Sequence, residues 1–255
     1  MDDDSPDAPD AAEGAPSAGG AARAAADGGE ASTEGPSPLD GLGVLAMETV
    51  AVDDNLDHLE LYTTGGLLTL LWHGGADLDA VVVCLGGAMG GLLGPDGGLF
   101  HRLGRALPER GIGVLRVSYR RPNDLGACIH DALAAMELAA RHGAHRFVTV
   151  GHSFGGAVAI QAAAHLDVRS VPGVVTLATQ SAGCEPVETL TDRDLLFLHG
   201  TNDQILPHHA SELVRMLAGH GELELLDGAD HLLRPMGSTV LARLLDHLPS
   251  VVDPA

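Results

Sequence analysis

The stretch Arg146–Ala164, RFVTVGHSFGGAVAIQAAA, decides how the rest of the chain is read. Phe147, Val148, Thr149 and Val150 make a short β-branched and aromatic run of the kind found in buried parallel strands. After Gly151-His152-Ser153-Phe154-Gly155-Gly156 comes a run of small and aliphatic residues without a breaker, which reads as a helix. A G-x-S-x-G sequence in a strand–turn–helix setting holds its serine in a strained backbone conformation and lifts the hydroxyl clear of the sheet. Gly151 and Gly155 have no Cβ, so strand and helix can approach closely around the bend. The helix aims its first N–H groups at any negative charge that develops beside Ser153.

Working downstream, strands are expected over Gly173–Thr179, Asp194–His199 and Glu222–Leu226, with helices over His208–Ala218 and Thr239–Leu248. Upstream, AVVVCL (Ala80–Leu85) reads as a buried strand that leads into the glycine-rich Gly86–Gly91. Periodicity then predicts a helix over Leu99–Arg110, a strand over Gly113–Tyr119 and an amphipathic helix over Leu125–His142, stopped by Gly143. From residue 80 onward strands and helices alternate, which predicts right-handed crossovers and a parallel sheet covered on both faces. Before it, Met47–Val52, His58–Thr63 and Leu67–His73 alternate in polarity, with Gly65-Gly66 as a tight turn, and predict an antiparallel entry to the sheet. The connection Gln180–Arg193 is too short for a separate cap domain. Residues 1–40, made of Ala, Gly, Pro, Ser and acids, are expected to be a disordered tail, and residues 41–255 one folded domain.

A serine hydroxyl becomes a nucleophile only beside a base, and the base needs an acid to fix its tautomer. Two loops at expected C-terminal strand ends offer these groups. Asp203 lies in Thr201–Pro207 and serves as the acid, while His231 ends Asp227–His231 and serves as the base. Asp230 adjoins His231 and is poorly placed to face it, and Asp194 lies at a strand start on the other edge of the sheet. His152 sits inside the turn, His199 precedes Gly200 as a structural residue, and His208 and His209 open a helix, possible pocket residues.

GHSFGG, HGTNDQILP and GADH, in the order Ser153, Asp203, His231, resemble the α/β-hydrolase superfamily over about residues 45–250. The resemblance implies a three-layer α/β-hydrolase fold with a mostly parallel central sheet, helices on both faces and no cap domain. The compact form is similar to dienelactone-hydrolase-like and small serine carboxylesterases, although dienelactone hydrolases proper use cysteine where this chain has Ser153. It also implies an oxyanion hole of backbone N–H groups: Phe154, and Gly87 with Ala88 close behind. Related enzymes carry His-Gly-x there, whereas this chain has Leu85-Gly86-Gly87-Ala88. Met89, Leu92, Gln180, Ile205, Leu206 and Leu232, adjoining these loops, are the expected pocket walls. The implied activity is cofactor-independent hydrolysis of a small-molecule carboxylic ester or thioester through an acyl-enzyme. Acyl transfer, peptide hydrolysis, perhydrolase chemistry and a non-catalytic binding role remain open alternatives. Arg120 and Arg121 either clamp a substrate carboxylate or pair with Asp124 or Asp131.

All 14 basic residues are arginine, and the net charge is −21, of which −9 falls in residues 1–40. Such a balance argues against nucleic acid or an anionic membrane as a partner, because phosphate binding needs basic patches. No run is apolar enough to span a membrane, and the acidic start MDDDSPDAPD is unlike a secretory signal, so a cytoplasmic location is expected. Three scattered cysteines make neither a disulfide framework nor a C-x-x-C site, and no histidine spacing predicts a metal. The glycine-rich loop lacks G-K-[ST] and is not a phosphate loop.

Overall fold

The computed structural model describes residues 36–75 and 78–252. The strands in chain order are β1 (Val44–Asp53), β2 (Leu56–Thr63), β3 (Gly66–His73), β4 (Ala80–Leu85), β5 (Ile112–Ser118), β6 (Arg146–His152), β7 (Gly173–Leu177), β8 (Asp194–Gly200) and β9 (Glu222–Leu226). They form one sheet in the order β1-β2-β3-β5-β4-β6-β7-β8-β9. The first three strands and the β3–β5 junction are antiparallel, and every pairing from β5 through β4 to β9 is parallel.

Strand alternation divides the core into two layers. Val81, Val83 and Leu85 of β4 face α2 (Leu125–Arg141) and α3 (Phe154–Ala164), while Val82 and Cys84 face α1 (Leu99–Ala106) and α5 (Gly237–Val252). α4 (His209–Ala218) joins the first layer through Val214. Every residue of β4 is buried, which is why its sequence is an unbroken apolar run. The whole is a three-layer sandwich, and between Gln180 and Arg193 only a short 3-10 turn, Glu185–Thr189, interrupts the loop, so no cap is present among the described residues. The chain crosses from β4 to β5 by α1 and from β5 to β6 by α2, on opposite faces, and this reversal opens a crevice above the C-terminal ends of β4 and β6.

Most element ends shift by a residue or two from expectation, and three of the differences stand out. α1 stops at Ala106 rather than Arg110, because Pro108 starts a separate 3-10 turn closed by Gly111 in the left-handed region. α5 runs through Pro249 to Val252 instead of ending at Leu248; the proline ring frees the Leu245 carbonyl, which accepts a hydrogen bond from Arg110 Nη1 at 2.5 Å. β1 begins at Val44 instead of Met47.

The tail expected over residues 1–40 lies outside the described residues as far as residue 35. Its last residues are described and already belong to the folded body. Leu39 is buried, its N–H donates to Glu137 Oε2 at 2.7 Å, and His130 Nε2 donates to the Pro38 carbonyl at 2.7 Å. No helix among the described residues is long and apolar enough to cross a membrane.

Candidate active site

Ser153 sits between β6 and α3 with φ 56° and ψ −122°, a backbone conformation that strains any residue with a Cβ. Its N–H donates to the Leu177 carbonyl at 2.8 Å, which locks the bend to the neighbouring strand. The glycines around it are steric necessities. A Cβ on Gly151 would lie 2.0 Å from the Gly155 carbonyl oxygen, and one on Gly155 2.2 Å from the Leu85 oxygen. A Cβ on Gly156 would meet Thr179 Oγ1 at 2.1 Å.

The loops carrying Asp203 and His231 are stitched together before either side chain is considered. Thr201 N–H donates to the Leu226 carbonyl and Asn202 N–H to the Ala229 carbonyl, both at 3.0 Å. Gly200 permits the approach, since a Cβ there would lie 2.2 Å from the Ala229 oxygen. Asp230 spends its carboxylate on its own loop, accepting from the N–H groups of Leu232 and Arg234 at 2.9 Å each. Asp194 pairs with His247 at the far end of β8.

The three sequence-derived residues come together in one row. Ser153 Oγ lies 3.1 Å from His231 Nε2, and His231 Nδ1 lies 2.7 Å from Asp203 Oδ2. A carboxylate only accepts, so Nδ1 carries the proton and Nε2 is left to accept from the serine hydroxyl. Asp203 Oδ1 accepts from the backbone N–H groups of Ile205 at 2.8 Å and Leu206 at 2.9 Å. Burial raises the Asp203 carboxyl, but the His231 bond and the two backbone donors outweigh it and hold the group below the usual carboxylate range.

A second imidazole reaches the same carboxylate. His199 Nε2 lies 3.1 Å from Asp203 Oδ2 and 3.0 Å from the Leu206 carbonyl, both acceptors, so Nε2 carries the proton. Burial lowers the His199 pKa, and Nδ1 of the neutral ring accepts from Ser211 Oγ at 2.7 Å. The sequence placed His199 at a strand end but gave no sign that it shares Asp203 with His231. His152 is buried, donates Nε2–H to the His231 carbonyl at 2.9 Å, and has its pKa lowered to about 4 by burial. It is therefore a neutral strut beneath the base.

Loop 86–94 forms the other wall. A Cβ on Gly87 would lie 3.6 Å from Ser153 Cβ, so the loop backbone passes directly beside the serine. Among the described residues the N–H groups of Gly87, Ala88 and Phe154 have no acceptor. Two side chains from one neighbouring strand tether this loop. Tyr119 Oη, just past β5, donates to the Gly86 carbonyl at 3.2 Å, and Arg116 Nη1 of β5 donates to the Leu92 carbonyl at 3.2 Å. Arg116 is buried, and among the described residues it has no carboxylate partner and its Nε no acceptor.

The resulting cleft has a volume of about 610 Å³ and includes Ser153, His231, Met89, Leu92, Ile205 and Leu232 in its lining. Two expected wall residues are not part of it. Gln180 turns back to donate to the Ala182 carbonyl at 2.7 Å, and Leu206 contributes backbone to Asp203 and His199. Leu93 and His152 line the cleft and were not expected there; Leu93 lies beyond the glycine run that marked the loop. Arg120 is not available to a substrate either: its side chain is buried and paired with Asp131 at 2.5 Å, while Arg121 lies 3.8 Å from Asp124. Cys84 is inert in the core, its thiol pushed up to about 12 by burial. His208 and His209 lie outside the cleft, at the start of α4, where with Glu212 they form the one metal-compatible side-chain group among the described residues.

No protein-family model matches the chain, and no curated protein matches its sequence. Solved structures do match its coordinates. Est1E from Butyrivibrio proteoclasticus superposes with a TM-score of 0.66 at 14% identity, covering 76% of this chain and 98% of that one. An alpha-beta serine hydrolase homologue from Coxiella burnetii gives 0.63 at 17% identity, covering 78% and 99%. The dienelactone hydrolase from Anabaena variabilis gives 0.60 at 16% identity, covering 78% and 95%. With the sheet order, the crevice and the strained serine, these likenesses identify the architecture: this chain has the α/β-hydrolase fold.

Proposed function

We propose that the protein is a serine hydrolase that cleaves a carboxylic ester or thioester of a small molecule. The reading rests on the Ser153–His231–Asp203 row, with distances of 3.1 and 2.7 Å, beside acceptor-free N–H groups. His231 Nε2 takes the proton as Ser153 Oγ attacks the carbonyl carbon, and the imidazolium is stabilised by Asp203. The N–H groups of Phe154 and of Gly87 or Ala88 hold the oxyanion of the tetrahedral intermediate. Its collapse expels the alcohol or thiol, which leaves with the proton from His231. Water, deprotonated by the same imidazole, then attacks the acyl-enzyme and frees Ser153. The chemistry needs no metal or cofactor.

The cleft supports an acyl part that is neutral and apolar, since Met89, Leu92, Leu93, Ile205 and Leu232 surround it and no arginine or carboxylate lines it. The expected outcome is that wild-type protein hydrolyses p-nitrophenyl acetate and is labelled by a fluorophosphonate probe, and that Ser153→Ala removes both. Persistent labelling of the variant would move the nucleophile elsewhere; an unlabelled wild-type chain would favour a binding protein on this fold.

A further inference from the structure

The first turn of α4 carries a side-chain group that the proposed hydrolase chemistry does not use. His208 is the residue before α4, His209 its first residue and Glu212 its fourth. Glu212 thus stands four positions from one imidazole and three from the other, the two spacings that bring side chains together on one helix face. The rings of His208 and His209 stack with centroids 4.4 Å apart and planes 26° apart. One donor atom from each of the three side chains lies within 4.8 Å of the other two.

No hydrogen bond holds these donors, although His208 and Glu212 lie at ion-pair distance. His208 Nε2 stands 3.7 Å from Glu212 Oε1, beyond hydrogen-bond distance. Among the described residues none of the three side chains makes a hydrogen bond. Many other histidines do: His130, His142, His165 and His220 each contact a backbone carbonyl, and His247 pairs with Asp194. Donor atoms gathered within 4.8 Å of one another without a mutual hydrogen bond are what a cation site offers before its ion arrives.

We propose that His208, His209 and Glu212 form a binding site for a divalent transition metal of the zinc, nickel or copper class. Two imidazoles and one carboxylate suit these ions, whereas calcium and magnesium ask for oxygen ligands. Ligand bonds of about 2.0–2.2 Å put two donors on one tetrahedral ion roughly 3.4 Å apart, so the three donors, now within 4.8 Å of one another, must draw closer to hold one ion. Three protein ligands leave a further position to water. The Glu212 charge and the net −21 of the chain offset the unfavourable field of the helix N-terminus. The site does not depend on the hydrolase reading, and its ligands do not line the cleft. It does flank Ser211, whose hydroxyl supports His199.

Calorimetric titration of the full chain with zinc chloride tests this directly. The expected result is one site of micromolar affinity, weakened at least tenfold by His209→Gln and by Glu212→Gln and lost in the double variant, with no binding of magnesium chloride. Excess zinc should raise the wild-type Tm and leave that of the double variant unchanged, since a ligand stabilises only the fold that binds it. Circular dichroism of the metal-free proteins checks that the substitutions leave the fold intact. Zinc binding that is equal in wild type and double variant, or no binding up to about a thousandfold weaker than micromolar, would overturn the assignment.

Discussion

Gly151, Gly155 and Gly156 on one side of Ser153, and Gly87 and Gly91 on the other, use the same residue type for different physical ends. In the turn between β6 and α3 there is no space: added Cβ atoms would lie 2.0 to 2.2 Å from their nearest neighbours. Along the loop after β4 some positions are roomy. A Cβ on Gly91 meets nothing within 4 Å, and one on Gly87 makes only ordinary contacts from 3.6 Å outward. Glycine there serves conformation, with φ +94° at Gly91, and leaves backbone N–H groups bare beside the serine. One segment fixes Ser153 by packing, and the other presents dipoles from a tethered but open loop.

The difference can be broken by adding a single methyl group. Gly155→Ala forces the central strand β4 away from α3 and should cost about 3 kcal/mol or more in urea denaturation, with loss of Ser153 labelling. Gly87→Ala should stay within about 1 kcal/mol of wild type, because its methyl group has space. Equal losses in the two variants would refute the contrast.

Acid sharpens it next. His152 under the base and His73 in the core are buried, and both are lowered from 6.5 to about 4 chiefly by burial. Each therefore binds its proton in the unfolded chain before the folded one does. Stability is complete above pH 6.5 and falls as the pH drops toward 4, by roughly 3 kcal/mol for His152 at 1.4 kcal/mol per unit. Stability curves measured across this window should be flatter for His152→Gln than for wild type.

Arg116 tests the loop side. Its buried guanidinium has no carboxylate partner and reaches the Leu92 carbonyl. In Arg116→Met the fold should be as stable as wild type or more so, since an unpaired buried charge is removed. The loosened loop should lower kcat by about tenfold, with KM little changed, as the oxyanion donors lose their register. A parallel fall in Tm and kcat would make the arginine a purely structural residue. Gly91→Ala should show about 1 kcal/mol of left-handed backbone cost without a clash, measured as a small shift in the denaturation midpoint.

Much of this was legible from residues. Apolar runs located the central parallel strands, which are buried on both faces, and alternating polarity located the outer ones. Ser153, Asp203 and His231 were legible because their residue types recur at C-terminal strand ends in one order. Helix ends were less so: Pro249 reads as a breaker, yet Arg110, far away in sequence, satisfies the carbonyl it frees. Gln180 and Leu206 adjoin the right loops, but adjacency does not set side-chain direction, and both turn from the cleft.

By itself the sequence determined the order of strands and helices, the strained turn at Ser153 and the three residues that meet in one hydrogen-bonded row, all legible in local pattern. The tertiary structure alone decided that Asp203 would be shared by two imidazoles, that His152 would stand beneath His231, and that Arg116 would hold the loop beside the serine. Those contacts join residues from separate strands and loops, and their geometry is set by how the sheet twists and its layers pack, which short-range sequence periodicity does not encode.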